Sequence, residues 1–250
     1  GDTAFMTSAI TKITIPASVT VIGNNVFENA ASLKKVSLSK NLEIMGKAIF
    51  KNCSSLASIT LPLTLKNIPV DAFLNCTSLA EIGFGTVETI GKFAFKGCEN
   101  LVVIELPNTL TELDPMSFYG CTSLEAINVT EGNVKFKSVE GVVISTNEDN
   151  VFDTLALYPA GKQGGYAVAE DIKNIADRAF YNCDKLTEIT FSNNIERIGT
   201  ESFFDCDAII SVTLPEGARK VGDYAFASCN ELREFIVNSN LTEYPENVFD

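Results

Sequence analysis

The chain of 250 residues contains no histidine. That absence excludes Ser-His-Asp and Cys-His nucleophilic machinery, and any zinc, copper or haem site built on an imidazole ligand. Positive charge is scarce as well: 19 Lys and Arg against 32 Asp and Glu leave a formal net charge of −13. Nucleic acid and anionic membranes need a cationic footprint, so neither is expected as a partner. No apolar run approaches the roughly 20 residues that span a bilayer, so no membrane insertion of this segment is expected. The start, Gly1-Asp2-Thr3, is neither basic nor followed by an apolar core, and does not read as an export signal. What remains, 46% hydrophobic and 20% charged, suits a folded chain of one or two domains.

Seven cysteines is an odd number, so at least one thiol cannot pair within the chain. Their positions (Cys53, Cys76, Cys98, Cys121, Cys183, Cys206 and Cys229) are separated by 22 or 23 residues, with a single interval of 62. A disulfide framework rarely recurs at one interval, whereas a repeat does. A phenylalanine stands three residues before each cysteine, and the column extends upstream to Phe27 and Phe5 and downstream to Phe249. The interval from Phe118 to Phe180 holds two repeat lengths and about sixteen extra residues. The sequence is a tandem array.

One unit reads as follows. A leucine-type position six residues after the phenylalanine (Leu33, Leu56, Leu79, Leu101) precedes an alternating apolar pair such as Val36/Leu38, Ile59/Leu61 or Val212/Leu214. Alternation with β-branched residues predicts a strand with one buried face. Proline often follows it (Pro16, Pro62, Pro107, Pro215), as suits a residue that cannot donate to a ladder. Two apolar positions three apart come next, for example Leu65/Ile68, often with a glycine after them (Gly23, Gly46, Gly91, Gly199, Gly222) that predicts a tight bend or positive φ. The unit closes on a segment such as Asp71–Cys76, long enough for about one helical turn and ended by Asn or Gly. Stacked units bury what one cannot, predicting an α/β solenoid with one parallel sheet of about ten short strands opposite short helical turns.

The pattern LxxIxLPxxLxxIgxxAFxxC, clear from Leu56-Ala57-Ser58-Ile59-Thr60-Leu61-Pro62 to Cys76, resembles the leucine-rich repeat of BspA-like, Treponema-type bacterial surface proteins. The resemblance covers nearly the whole chain outside about 130–165. It implies a right-handed superhelix, typically exported and held at the cell surface, acting in adhesion or recognition of a host or neighbouring-cell protein or glycan.

Residues 130–165 break the register. Gly141–Ser145 and Phe152–Tyr158 are β-type runs around the turn cluster Asn147-Glu148-Asp149-Asn150, which predicts a β-hairpin insertion, serving either recognition or as a structural clasp. The expected organisation is therefore a single solenoid over 1–250, with regular repeats at 5–129 and 166–250. Phe5 and Phe249 lie in the column at the two ends without a polar capping unit. On that ground the chain is expected to be a slice of a longer protein. Were Asp250 the native end, the edge near Phe235–Val237 would drive end-to-end association; otherwise a monomer is expected.

Several chemistries are weighed against this architecture. Stacked cysteines should point the same way into the core, as buried thiols rather than disulfides, metal ligands or nucleophiles. Carboxylate pairs would serve a hydrolase, but an extended sheet offers no deep pocket, so no catalytic residue, cofactor or metal site is expected. The 147–150 cluster lacks the spacing of an EF-hand loop. Sequons occur at Asn52, Asn75, Asn128 and Asn240, the first two as part of the repeat's own turn.

The exposed strand positions form the expected ligand face, represented by Lys12, Lys35, Ser58, Glu81, Glu105, Asn128, Glu188, Ser211 and Glu234. It is basic at the start, then hydroxyl-rich and acidic, without an aromatic row that would stack sugars. The expected function is a non-enzymatic binding or adhesion module, extracellular or at the cell surface, with a structural spacer as the alternative.

Overall fold

A computed structural model describes residues 1–238 and 241–250. The chain winds as a β-solenoid whose coils carry two short strands each, and it divides into two compact units. The first comprises Gly1–Leu124 with Val129–Asn133, and the second Glu125–Asn128 with Val134–Asp250.

The alternating pairs do form strands, and the pairing is parallel. In the first unit Lys12–Thr14 pairs with Lys35–Ser37 and Ser58–Thr60 with Glu81–Gly83. In the second, Gly164–Ala167 pairs with Leu186–Thr190 and Ser211–Leu214 with Glu234–Val237. This face is not the single continuous sheet expected: it is broken into two-stranded sheets. Among the described residues, no backbone hydrogen bond joins Lys35–Ser37 to Ser58–Thr60, or Leu186–Thr190 to Ser211–Leu214.

The prolines open the turn that follows. Val19, Leu65, Leu110 and Ala218 donate N–H to the carbonyls of Pro16, Pro62, Pro107 and Pro215. A second ladder of two-residue strands comes after this turn. Val21–Ile22 pairs with Ile44–Met45, and Asn67–Ile68, Thr89–Ile90 and Glu112–Leu113 form a three-stranded sheet. The glycines after it do not need positive φ. Gly46 is required because a Cβ there would lie 2.3 Å from the carbonyl carbon of Gly23 in the preceding coil.

The expected helical turns are absent: no helix occurs among the described residues. Two residues of most closing segments sit in the left-handed region, for example Asn25 (φ 57°) and Asn29 (61°), and Asp71 (59°) and Asn75 (58°). Two such residues four apart turn alternate N–H groups away from the i→i−4 direction and toward the next coil. Asn25, Phe27 and Asn29 donate to Lys47, Ile49 and Lys51, and Ala48, Phe50 and Asn52 donate to Val70, Ala72 and Leu74. The segment is thus a third inter-coil ladder.

This ladder carries the core. Phe5, Phe27, Phe50, Phe73, Phe95 and Phe118 stack with ring centroids 5.1 to 5.5 Å apart, and from Phe27 to Phe95 they are fully buried. In the second unit Phe180, Phe203 and Phe226 continue the arrangement at 4.5 and 5.0 Å. Phe249 instead meets Phe235 edge-on at 4.9 Å.

The break in register holds three antiparallel strands, Phe136–Val139, Val142–Thr146 and Phe152–Leu157, rather than a two-stranded hairpin. Asn147 closes the turn between the last two, its Oδ1 accepting from the N–H of Asp149 and Val151 at 2.9 and 3.0 Å. Phe152–Leu157 also pairs in parallel with Asn174–Ile175, which continues to Arg197–Ile198 and Lys220–Val221. The next residue, Tyr158, takes the phenylalanine slot and stacks on Phe180 at 4.8 Å. The segment is wired into the second unit's core.

Candidate ligand-binding face

The residues that recur from coil to coil lie inside, and what faces outward is the first set of strands. Their inward positions are apolar and buried, as with Val36, Ile59, Ile104, Ile189 and Val212, so the alternate side chains must point to solvent. Lys12, Lys35, Ser58, Glu81, Glu105, Glu188, Ser211 and Glu234 are exposed, and Asn128 is half-buried.

Register decides which of these meet. Lys12 stands opposite Lys35, Ser58 opposite Glu81, and Ser211 opposite Glu234, while Glu188 faces Gly165. Glu105 lies two residues further along its strand and accepts from Thr130 Oγ1 at 3.3 Å. Asn128 falls in the second unit, on the strand Ala126–Val129.

Two hollows open where the ladder is interrupted. One of about 480 Å3 lies between Lys35–Ser37 and Ser58–Thr60, lined by Lys34, Lys35, Ser37, Ser58 and Thr60. The other, about 360 Å3, lies between the strands of Glu188 and Ser211 and is lined with Glu188, Thr190, Thr213, Glu216 and Asn238. The first is basic and hydroxyl-rich, the second acidic and hydroxyl-rich. Sequence alternation located the residues, but the interruptions that make the hollows carry no signal in it.

The cysteines lie behind this face and are all free; six are buried and Cys229 is half-buried. Each has a task beyond filling space. The Cys53, Cys76, Cys98 and Cys121 thiols donate to the carbonyls of Phe27, Phe50, Phe73 and Phe95 at 3.1 to 3.2 Å. Cys206 and Cys229 do the same to Phe180 and Phe203. Burial pushes the Cys53 and Cys121 thiols up to about 12 and Cys229 to about 11. Near neutral pH they are protonated, which makes them poor nucleophiles and poor metal ligands.

The closing turns hold groups that reasoning from the strands passed over. Phe93 and Tyr119 lie 6.3 Å apart, with Lys92 Nζ 4.9 Å from the Phe93 ring centre and Lys96 Nζ 4.8 Å from that of Tyr119. Their signal was aromatic residues off the phenylalanine column. In the second unit Tyr181 stacks on Phe204 at 4.9 Å. Asp184, Asp205 and Asp207 bring one carboxylate oxygen each within 4.8 Å of one another, the geometry of a cation ligand set. Amides already bond several of these oxygens, Asn182 to Asp184 and Asp205 and Asn230 to Asp207. Burial, with the neighbouring Asp205 and Asp207 charges, raises the Asp184 pKa.

The sequon asparagines Asn52 and Asn75 are tied into a ladder, Asn52 Nδ2 donating to Asn29 Oδ1 at 2.7 Å and Asn75 Nδ2 to Asn52 Oδ1 at 3.0 Å. The Asn240 sequon lies outside the described residues. No helix among the described residues is long and apolar enough to cross a membrane.

Comparison with known proteins agrees with this geometry. The profile described as "BspA type Leucine rich repeat region" matches residues 1–125, 84–139 and 166–250. None of the curated proteins matches the chain in sequence. Among solved structures it is similar to the pneumococcal vaccine antigen PcpA, with 22% identity and a TM-score of 0.73 over 95% of this chain and 69% of that one. It is also similar to a leucine rich cell surface protein from Faecalibacterium prausnitzii A2-165, with 21% identity and a TM-score of 0.64 over 92% and 79% of the two chains. A leucine-rich repeat protein from Bacteroides ovatus ATCC 8483 shares 28% identity with a TM-score of 0.64; the match covers 93% of this chain but 57% of that one. The first two likenesses show the shared fold.

Proposed function

The chain belongs to the BspA-type leucine-rich repeat family, and from that premise we propose that it is a non-enzymatic binding or adhesion module displayed at a bacterial cell surface. The observation that carries this reading is the outward face of the first strands: in-register, polar and opened into two hollows at interruptions of the ladder. Such a face offers hydrogen-bonding side chains on a rigid frame, while the buried and protonated thiols leave the apolar core inert. The F. prausnitzii relative, described as a cell surface protein, supports the location. The proposal takes the chain as one repeat array and its ligand as a protein or glycan of a host or neighbouring cell.

The test is a panel of purified matrix proteins and glycans presented to the full chain and to two variants. One reverses charges on the strand face with Lys12→Glu, Lys35→Glu, Glu188→Arg and Glu234→Arg. The other replaces Glu148 and Asp149 in the 147–150 turn with serine. Loss of a ligand in the first variant, with the second unaffected, is the expected result. A panel without any ligand, or a ligand that survives the four strand-face changes, overturns the reading.

A further inference from the structure

Lys12 and Lys35 occupy directly opposite positions of adjacent parallel strands, both exposed. Strands lie about 4.8 Å apart, and like charges directly opposite each other destabilise a sheet. Eight cations form ion pairs among the described residues, for example Lys51 with Glu28, Lys66 with Glu88, Arg178 with Glu201, and Lys173 with Glu196. Lys12, Lys34 and Lys35 take part in no ion pair among the described residues. In a chain of net charge −13 three contiguous unmatched cations stand out.

Lys12 stands opposite Lys35 on the adjoining strand, and Lys34 and Lys35 line the basic hollow. Its far wall contributes the Ser58 and Thr60 side chains and its near wall that of Ser37, none with a side-chain hydrogen-bond partner in the described chain. The facing backbone edges of the two strands are also not bonded to each other. The groove thus combines the ammonium groups of Lys34 and Lys35, with that of Lys12 on the adjoining strand, three unengaged hydroxyls and an open main chain, and it is lined by no aromatic side chain and no arginine. A protein partner would be expected to dock through aromatic anchors and Arg, which the groove lacks; its apolar lining is Val36, Leu38 and Ile59, of which Val36 and Ile59 are buried in the core. A chain whose own surface is hydroxyl and anion needs none.

We propose that the groove between Lys35–Ser37 and Ser58–Thr60, with Lys12 at its rim, binds a sulfated polysaccharide. Sulfate groups lie against the ammonium groups of Lys12, Lys34 and Lys35, and the sugar hydroxyls and sulfate oxygens meet Ser37, Ser58 and Thr60. The charge of the ligand removes the repulsion between Lys12 and Lys35. This inference rests on the binding role proposed above and specifies the ligand class of one part of its face.

The full chain is tested by surface plasmon resonance against dextran sulfate, uncharged dextran and poly-L-glutamate. Dextran sulfate binds in a salt-sensitive manner, uncharged dextran does not, and poly-L-glutamate binds at least tenfold more weakly. The variant Lys12→Gln/Lys34→Gln/Lys35→Gln loses at least tenfold in dextran sulfate affinity. The control Lys47→Gln/Lys92→Gln/Lys96→Gln, with the same loss of charge, changes less than threefold. Equal losses in both variants would show diffuse attraction and overturn the groove assignment. Poly-L-glutamate binding as tight as dextran sulfate would point to an acidic protein and overturn the glycan. Absence of dextran sulfate binding overturns the proposal, while a panel ligand still lost with the strand-face changes leaves the binding role standing. Thermal unfolding checks each variant, and if the triple variant melts, Ser58→Glu, which places a negative charge in the groove, must lower dextran sulfate affinity at least tenfold.

Discussion

Ser117 and Ser202 are fully buried immediately before a column phenylalanine, where other coils carry Val26, Ile49, Ala72, Ala94, Ala179 or Ala225. Neither hydroxyl has a hydrogen-bond partner among the described residues. A buried unsatisfied hydroxyl costs about 1–3 kcal/mol, so Ser202→Ala and Ser117→Ala should each raise stability, by about 1 kcal/mol. Urea denaturation measures it; a lower midpoint for both would show that the hydroxyls are bonded after all. The thiols give a pH dependence at the same scale. Burial raises the Cys53 and Cys121 values from 9.0 to about 12, so the folded chain keeps protons that the unfolded chain loses. Their contribution is complete below about pH 8 and declines from pH 9 toward 12, by about 1.4 kcal/mol per thiol and pH unit. Denaturant titrations at pH 7 and pH 10 should show this fall, reduced in Cys53→Ala/Cys121→Ala. Equal falls in parent and variant would remove the thiols as its cause.

At the scale of the element, the strands were legible and the closing turns were not, for a definite reason. Strand alternation is written directly in residues such as Ile59/Leu61 and Val212/Leu214, because one face is buried. In the closing turns the later left-handed position is Asn29, Asn52, Asn75, Gly97, Gly120 or Asn182, residue types that also end helices, and Asp205 or Ser228 in two further coils. The earlier one is Asn25, Ala48, Asp71, Phe93, Arg178, Glu201 or Tyr224, with no common chemistry. Its conformation is imposed by the neighbouring coil's carbonyls, a tertiary cause that no local pattern announces. The glycines were seen but for another reason than the one that holds. Gly46 and Gly222 let backbones approach, the added Cβ falling 2.3 Å from the Gly23 carbonyl carbon and 2.4 Å from the Thr200 nitrogen. Backbone cannot yield as a flexible side chain does, so Gly46→Ala and Gly222→Ala should each cost more than about 2 kcal/mol. Thermal unfolding decides it, and a melting point within a degree of the parent would refute the close approach.

For the molecule as a whole, the repeat array was visible because seven cysteines and ten phenylalanines keep one interval, and only inside the 62-residue gap is the column lost. Tyr158 is the missing member there, recognisable once its ring is seen on Phe180 but not from a column of phenylalanine. The same holds for the binding face: residue types along it could be read, whereas the hollows depend on where ladders break. A prediction about the intervening segment follows from its packing. Val142, Ile144, Leu155 and Tyr158 are buried in the second unit's core together with Ile175, Phe180 and Phe203. At about 1.5–3 kcal/mol for each fully buried large side chain, the four contribute roughly 6–12 kcal/mol. That rivals the total stability of a domain, about 5–15 kcal/mol. Deleting 141–158 should therefore unfold the second unit rather than trim a loop. Alkylation in native buffer reads the result: in the parent chain buried Cys183 and Cys206 should resist labelling and half-buried Cys229 should react before them. In the deletion all three should label rapidly, and far-UV circular dichroism should lose sheet signal. Undiminished protection of Cys183 and Cys206 would mean that the segment is an appendage whose removal the core of the second unit tolerates.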